Sequence, residues 1–209
     1  MALDLEEQEK LEELKAWWKQ NGKWVISALV VFLLAVAGWR GWQTWTQRQA
    51  VEASQLFDRA VQAAMLNDTK AVKDITGQIM ENYPRTAYAT PAAWLAGRVN
   101  FEAGDLKSAQ AQYRYALERA RDASVRDLAR LRLAAILLDS KDYAGALALL
   151  NETHGPAYKA LYANLKGDVL IEQGKLQEAR AAYQEALKAM DANSALKPLV
   201  EIKLDALGG

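Results

Sequence analysis

Gly97-Arg98-Val99-Asn100-Phe101-Glu102-Ala103-Gly104-Asp105-Leu106-Lys107-Ser108-Ala109 returns seventy residues later as Gly167-Asp168-Val169-Leu170-Ile171-Glu172-Gln173-Gly174-Lys175-Leu176-Gln177-Glu178-Ala179. The match continues at Tyr113 and Tyr183, and at Ala116-Leu117 and Ala186-Leu187. Half of that shift is about 35 residues, the length of one helix–turn–helix unit. A degenerate copy lies between the two. Lys141-Asp142-Tyr143 fills its turn, Ala146 takes the Ala109 position and Leu150 the Tyr113 position. A fainter copy precedes them, with Asn67-Asp68 as its turn, Val72 in place of the alanine and Tyr83-Pro84 ending its second helix.

The residue types say what each position does. Gly97 and Gly167 let the two helices of a hairpin approach closely. Gly104 and Gly174 end the first helix, where a positive φ relieves the last turn. Ala109 and Ala179 permit a close crossing of the second helix over the first, and Tyr113 and Tyr183 fill the space towards the next hairpin. One hairpin cannot bury its apolar face alone, so such units stack into a curved solenoid. This layout resembles the tetratricopeptide repeat. Asn193 to Leu207, with Pro198 near its start, is expected as a final helix over the last hairpin.

The other end of the chain has a different character. Lys23 and Arg40 bracket an uncharged run from Trp24 to Trp39. In a helix that run covers roughly 24 Å, short of the roughly 30 Å hydrocarbon core. Arg40 can snorkel, and Gly41 to Gln47 carry no charge, which extends the span to Trp45. Trp17, Trp18 and Trp24 flank one side, and Trp39, Trp42 and Trp45 the other. Two tryptophan belts around one apolar run are the mark of a helix crossing a bilayer. Ala35-Val36-Ala37 looks like a signal-peptidase site, but the acid-rich region before the run and the second belt beyond the cut argue against cleavage.

The predicted organisation is therefore all-α: a leader over 1–23, a transmembrane helix over 24–45 and a helical-hairpin solenoid over 46–209. Leu3 to Gln20 reads as a helix, with Leu11, Leu14 and Trp18 on one face and glutamates mixed with lysines. It fits either an interfacial helix on the bilayer or a solvated leader. Four lysines before the span against Arg40, Arg48 and Arg59 after it lean weakly towards a cytoplasmic N-terminus.

The composition argues against several functions. Lysine plus arginine balances aspartate plus glutamate at 26 each, and cysteine is absent. Disulfides, thiolate metal sites, cysteine nucleophiles and a cysteine lipid anchor are excluded together. His154 is the sole histidine, in the loop Asn151-Glu152-Thr153-His154-Gly155-Pro156, so neither a zinc site nor catalysis is expected. No phosphate loop or nucleophile motif occurs, and no cofactor is predicted. Arg114, Arg119, Arg121, Arg126, Arg130 and Arg132 crowd one stretch. Helical spacing pairs Glu118 with Arg114 and Arg121, Asp122 with Arg126 and Asp127 with Arg130, so no nucleic-acid partner is expected.

Solenoids of this kind bind with the concave side, lined by the first helix of each hairpin. In register, that stripe holds Trp94, Arg98 and Phe101, then Leu131, Ala135 and Leu138, then Asn164, Asp168 and Ile171. An apolar groove with a few polar anchors suits an extended or helical peptide.

Both halves together resemble the ancillary SecYEG translocon subunit family, the YfgM-like proteins of Gram-negative inner membranes. The matching residues are Asn21-Gly22-Lys23 before the span, Gly38-Trp39-Arg40-Gly41-Trp42 after it, Leu131-Arg132-Leu133-Ala134, and Gly167-Asp168-Val169-Leu170 through Gly174-Lys175. The resemblance implies a single-pass inner-membrane protein with a cytoplasmic N-terminus and a periplasmic repeat domain. It implies association with the SecYEG translocon and a PpiD-like periplasmic chaperone, a part in passing on exported polypeptides, and modulation of an envelope stress response. It provides no catalytic residues. The alternatives are a cytoplasmic scaffold in the opposite topology and a coordinator of cell-division or cell-wall partners.

Overall fold

A computed structural model describes residues 5–208, with side chains from residue 7 onward. Leu3 and Gly209 lie outside the described residues, and the side chains of Leu5 and Glu6 are not described. Every regular element described is helical: α1 Leu5–Met65, α2 Thr69–Asn82, α3 Ala89–Glu102, α4 Leu106–Arg119, α5 Ala123–Asp139, α6 Tyr143–Leu150, α7 Lys159–Glu172, α8 Leu176–Ala189 and α9 Lys197–Asp205. A short 3-10 turn, Pro156–Tyr158, leads into α7. The chain divides into two compact units, 1–49 and 50–209.

The first unit is helical and exposed. Residues 23–40 are all exposed, Trp24 at 78 % and Leu34 at 67 %. Only 6 % of the most apolar window of α1 is buried, which sets it apart from a soluble core helix. The helix is long and apolar enough to cross a membrane. Leu14, Trp17 and Trp18 of the leader are exposed as well. The Trp18 ring lies against Gly22, where a Cβ would meet it at 3.2 Å.

The second unit is a run of four hairpins: residues 50–65 of α1 with α2, then α3 with α4, α5 with α6, and α7 with α8. Their turns repeat one backbone device. Asn67 (φ 56°), Gly104 (77°), Lys141 (61°) and Gly174 (74°) each take the left-handed conformation that ends the first helix. The next residue starts the second helix. Asp68, Asp105 and Asp142 cap it through their carboxylates, accepting from the N–H of Ala71, Ser108 and Gly145 at 3.0–3.1 Å. The hydrogen bond from the Ser108 side chain, then that from its backbone, holds the Asp105 carboxyl below its ordinary range. Lys175 stands at the fourth cap without such a bond.

Packing inside each hairpin follows one size rule. A Cβ on Gly97 would lie 3.0 Å from the Tyr113 ring, and one on Gly167 would lie 2.4 Å from the Tyr183 ring. Sixteen residues separate the partners in both cases. The same offset pairs Ala134 with Leu150 and Ala60 with Thr76, all of them buried. A ring therefore demands glycine opposite, while a smaller side chain admits alanine. Val72, Ala109, Ala146 and Ala179, the crossing positions, have no exposed surface. Tyr113 also reaches the next hairpin, sharing a core with Leu133, Ile136 and Leu137.

The final helix is present as expected but shorter, with Pro198 in its first turn and turns over 192–196. It packs on α8 as α5 packs on α4, burying Val200 against Ala163, Leu170 and Ala182. It thus closes the apolar face that a fifth hairpin would cover.

Candidate functional site

The residues expected along the helix-A stripe differ in availability. In α3, Phe101 is 42 % exposed and Arg98 is exposed, pairing with Glu102 at 3.7 Å. Arg98 and Glu102 also line a cleft of about 260 Å³ with Ala64, Asn67 and Thr69. Trp94 is half-buried and edge-on to Tyr113, with ring centroids 5.0 Å apart; its Nε1 is buried with no hydrogen-bond partner. In α5, Leu131 and Leu138 are half-buried against the central core, with Ala135 beside them.

The α7 part of the stripe is engaged by the chain itself. Lys203 of α9 donates to Asp168 Oδ1 and Oδ2 at 2.7 and 2.9 Å and to Asn164 Oδ1 at 3.2 Å. The Tyr183 hydroxyl donates to the same Asp168 at 2.8 Å. Burial first, then the Asp168 hydrogen bond and charge, push the Tyr183 hydroxyl well above its ordinary range. Ile171 packs into the cluster that α9 completes. The stripe is thus most open over Arg98 and Phe101, and the amphipathic helix α9 already sits on its last segment through Lys203.

The first hairpin adds Phe57, Val61 and Ala64 in the same register, one repeat before Trp94, Arg98 and Phe101. All three are half-buried, and Phe57 lies 5.9 Å from the Tyr88 ring. Only the faint Asn67-Asp68 turn could have placed them from sequence.

The arginine-rich stretch departs from the helical pairing predicted for it. Among the described residues only Arg130 forms the expected ion pair, at 3.1 Å from Asp127. Asp122 caps α5 instead of pairing with Arg126, accepting from Ser124 and Val125 N–H at 2.7 and 3.2 Å. A cap needs only a side-chain oxygen beside N–H groups already fixed by the helix start, and so wins over a screened surface pair. No ion pair joins Glu118 to Arg114 or Arg121, and Arg119 lies over the Tyr115 ring at 4.5 Å.

Asp127 has a structural task. It is buried, and its second oxygen accepts from Gly155 N–H at 2.8 Å. Its backbone carbonyl accepts from the Tyr162 hydroxyl at 2.7 Å, and Arg130 donates to the Thr153 carbonyl at 3.1 Å. Together these bonds fasten the 151–155 loop between the third and fourth hairpins. His154 stacks on Tyr162, centroids 4.2 Å apart, as part of that fastening. No cluster of three potential metal ligands occurs among the described residues.

A cavity of about 660 Å³ was not foreseen. It lies where the α2–α3 loop, the start of α3 and the α4–α5 loop converge, and Trp94 forms part of its wall.

Repeated left-handed turns, small-against-large helix pairs and a sealing last helix define a tetratricopeptide repeat-like domain that follows an apolar N-terminal helix in the chain. A family model described as tetratricopeptide repeat-like domain matches residues 15–209. Among curated relatives, a protein of Neisseria gonorrhoeae (strain ATCC 700825 / FA 1090) is 31 % identical over 208 residues, covering 99 % of this chain and all of its own. One of Haemophilus influenzae (strain ATCC 51907 / DSM 11121 / KW20 / Rd) is 31 % identical over 186 residues, covering 89 % of this chain and 91 % of its own. One of Escherichia coli (strain K12) is 26 % identical over 201 residues, 96 % of each chain. Each is named an ancillary SecYEG translocon subunit. This chain belongs to that family.

Proposed function

We propose that the protein is a membrane-anchored adaptor at the SecYEG translocon, a binding module and not an enzyme. The observation that carries this reading is similarity running end to end through both the apolar helix and the repeats in proteins named for that translocon. In this reading residues 24–45 cross the inner membrane, 1–23 stay in the cytoplasm and 46–209 form the periplasmic domain. The partners are the translocon, a PpiD-like chaperone and exported polypeptides passed between them.

The stripe over Trp94, Arg98, Phe101, Leu131 and Leu138 is the proposed groove, with Asn164, Asp168 and Ile171 at its closed end. The α9 contact supports a helix-in-groove mode. There an amphipathic helix lies against a hairpin and sets one lysine into a pair of polar anchors.

The chain has no cysteine, which makes topology directly testable. A single cysteine introduced at Glu185, exposed on α8, is offered a membrane-impermeant maleimide in intact cells with permeabilised outer membranes. Labelling before lysis supports the periplasmic placement. Labelling only after lysis would favour a cytoplasmic scaffold.

A further inference from the structure

Pro84, Pro91, Trp94, Val125 and Leu128 give the 660 Å³ cavity apolar walls. That volume falls in the range of roughly 300–1,000 Å³ typical of ligand pockets. Three guanidinium groups, Arg85, Arg119 and Arg121, also line it. All three are exposed, and none pairs with a carboxylate among the described residues. The one acid lining the cavity, Asp122, has an oxygen committed to the N–H groups that start α5. Three arginines against one aspartate is a strong local excess in a chain whose charges otherwise balance at 26 each.

We infer that this cavity is a second docking site, separate from the helix-A groove, for an acidic extended segment of a partner polypeptide. One apolar side chain of the segment seats between Pro91, Trp94 and Leu128. Flanking carboxylates engage Arg85, Arg119 and Arg121, whose planar donors match a carboxylate two bonds at a time. A phosphate-bearing occupant fits less well. The N–H groups of the α5 start, the natural phosphate donors, are already taken by Asp122. The free oxygen of Asp122 instead accepts from a peptide N–H. The site shares only Trp94 with the stripe, so it stands whether or not the groove binds a chaperone.

The test uses the full chain in phosphatidylcholine nanodiscs and a fluorescein-labelled peptide of alternating glutamate and aspartate around one phenylalanine. Anisotropy is read at low and at physiological salt. The acidic peptide is expected to bind, with affinity falling as salt rises. The Arg85→Ala/Arg121→Ala double variant is expected to weaken it about tenfold, the size two exposed ion pairs give together. Both positions are exposed, so circular dichroism should be unchanged, and Lys188→Ala, an exposed charge removed on α8, serves as the distant control. Equal binding of a peptide with lysine in place of the acids would overturn the proposal. So would loss of binding with Lys188→Ala alone. Capture of phosphatidylglycerol vesicles through the same arginines, without peptide binding, would make it a lipid contact and overturn it equally.

Discussion

Gly167→Ala isolates the packing rule that organises every hairpin. The new Cβ would fall 2.4 Å from Tyr183 Cε1, 2.6 Å from Cδ1 and 2.8 Å from Cζ. The ring cannot simply tilt away. Its hydroxyl is held by Asp168, which Lys203 holds in turn, and the side chain is only 2 % exposed. Overpacking of this kind costs about 1–3 kcal/mol. The same change gains about 1 kcal/mol of helix propensity, because alanine restricts the unfolded chain. With the ring pinned at both ends the strain falls in the upper part of its range, and the net loss is about 1–2 kcal/mol. For a domain of this size that lowers Tm by about 2–8 °C. Thermal unfolding of the full chain in detergent, followed by circular dichroism at 222 nm, reads it. In a Tyr183→Leu background, which copies the Ala134 and Leu150 pairing of the third hairpin, Gly167→Ala should become neutral or stabilising. Gly77→Ala is the propensity control, since nothing lies within 4 Å of its Cβ position, and should stabilise by about 0.5–1 kcal/mol. A Gly167→Ala protein as stable as the parent, or one whose loss persists without the Tyr183 ring, would refute the reasoning.

Asp127→Ala should cost about 3–5 kcal/mol in urea unfolding, because Arg130 and the Gly155 N–H lose their buried partner; cleavage in the 151–155 loop by a protease should rise in parallel. Lys141→Gly should stabilise by about 0.5–1 kcal/mol in the same assay, since a non-glycine residue there holds φ at 61°. Alkali should destabilise the domain. Tyr183, Tyr162 and Tyr113 are all pushed up, burial being the first cause in each. Their contribution is complete below the ordinary tyrosine value near 10 and is lost as pH rises from there through the folded values. Denaturant midpoints taken from pH 9 upward check this, and Tyr183→Phe should flatten the decline.

Much of this architecture is readable from residue types because it depends on local chemistry. The glycines at 104 and 174 announce a left-handed turn, and Lys141 and Asn67 hold the same conformation without announcing it. The first hairpin is faint in sequence because Ala60 and Thr76 replace glycine and tyrosine, a substitution the size rule makes neutral for the backbone. Asp122 was misread because cap and surface pair use the same residue, and only the helix start decides between them. The register of the stripe follows from the repeat, but the engagement of Asn164 and Asp168 by Lys203 depends on where α9 lands. The arginine-lined cavity was not legible. Pro84 to Ala87 and Ala120 to Asp122 lie far apart in sequence, and the angle between hairpins brings them together.

The most direct test of the adaptor reading is photo-crosslinking in intact membranes from Phe101, the most open apolar residue of the stripe. The account predicts adducts with translocon subunits or a periplasmic chaperone, reduced by Arg98→Ala in a protein that keeps its helical content. Adducts with cytosolic proteins alone would contradict it, leaving the hairpin fold in place but reversing the side of the membrane on which it works.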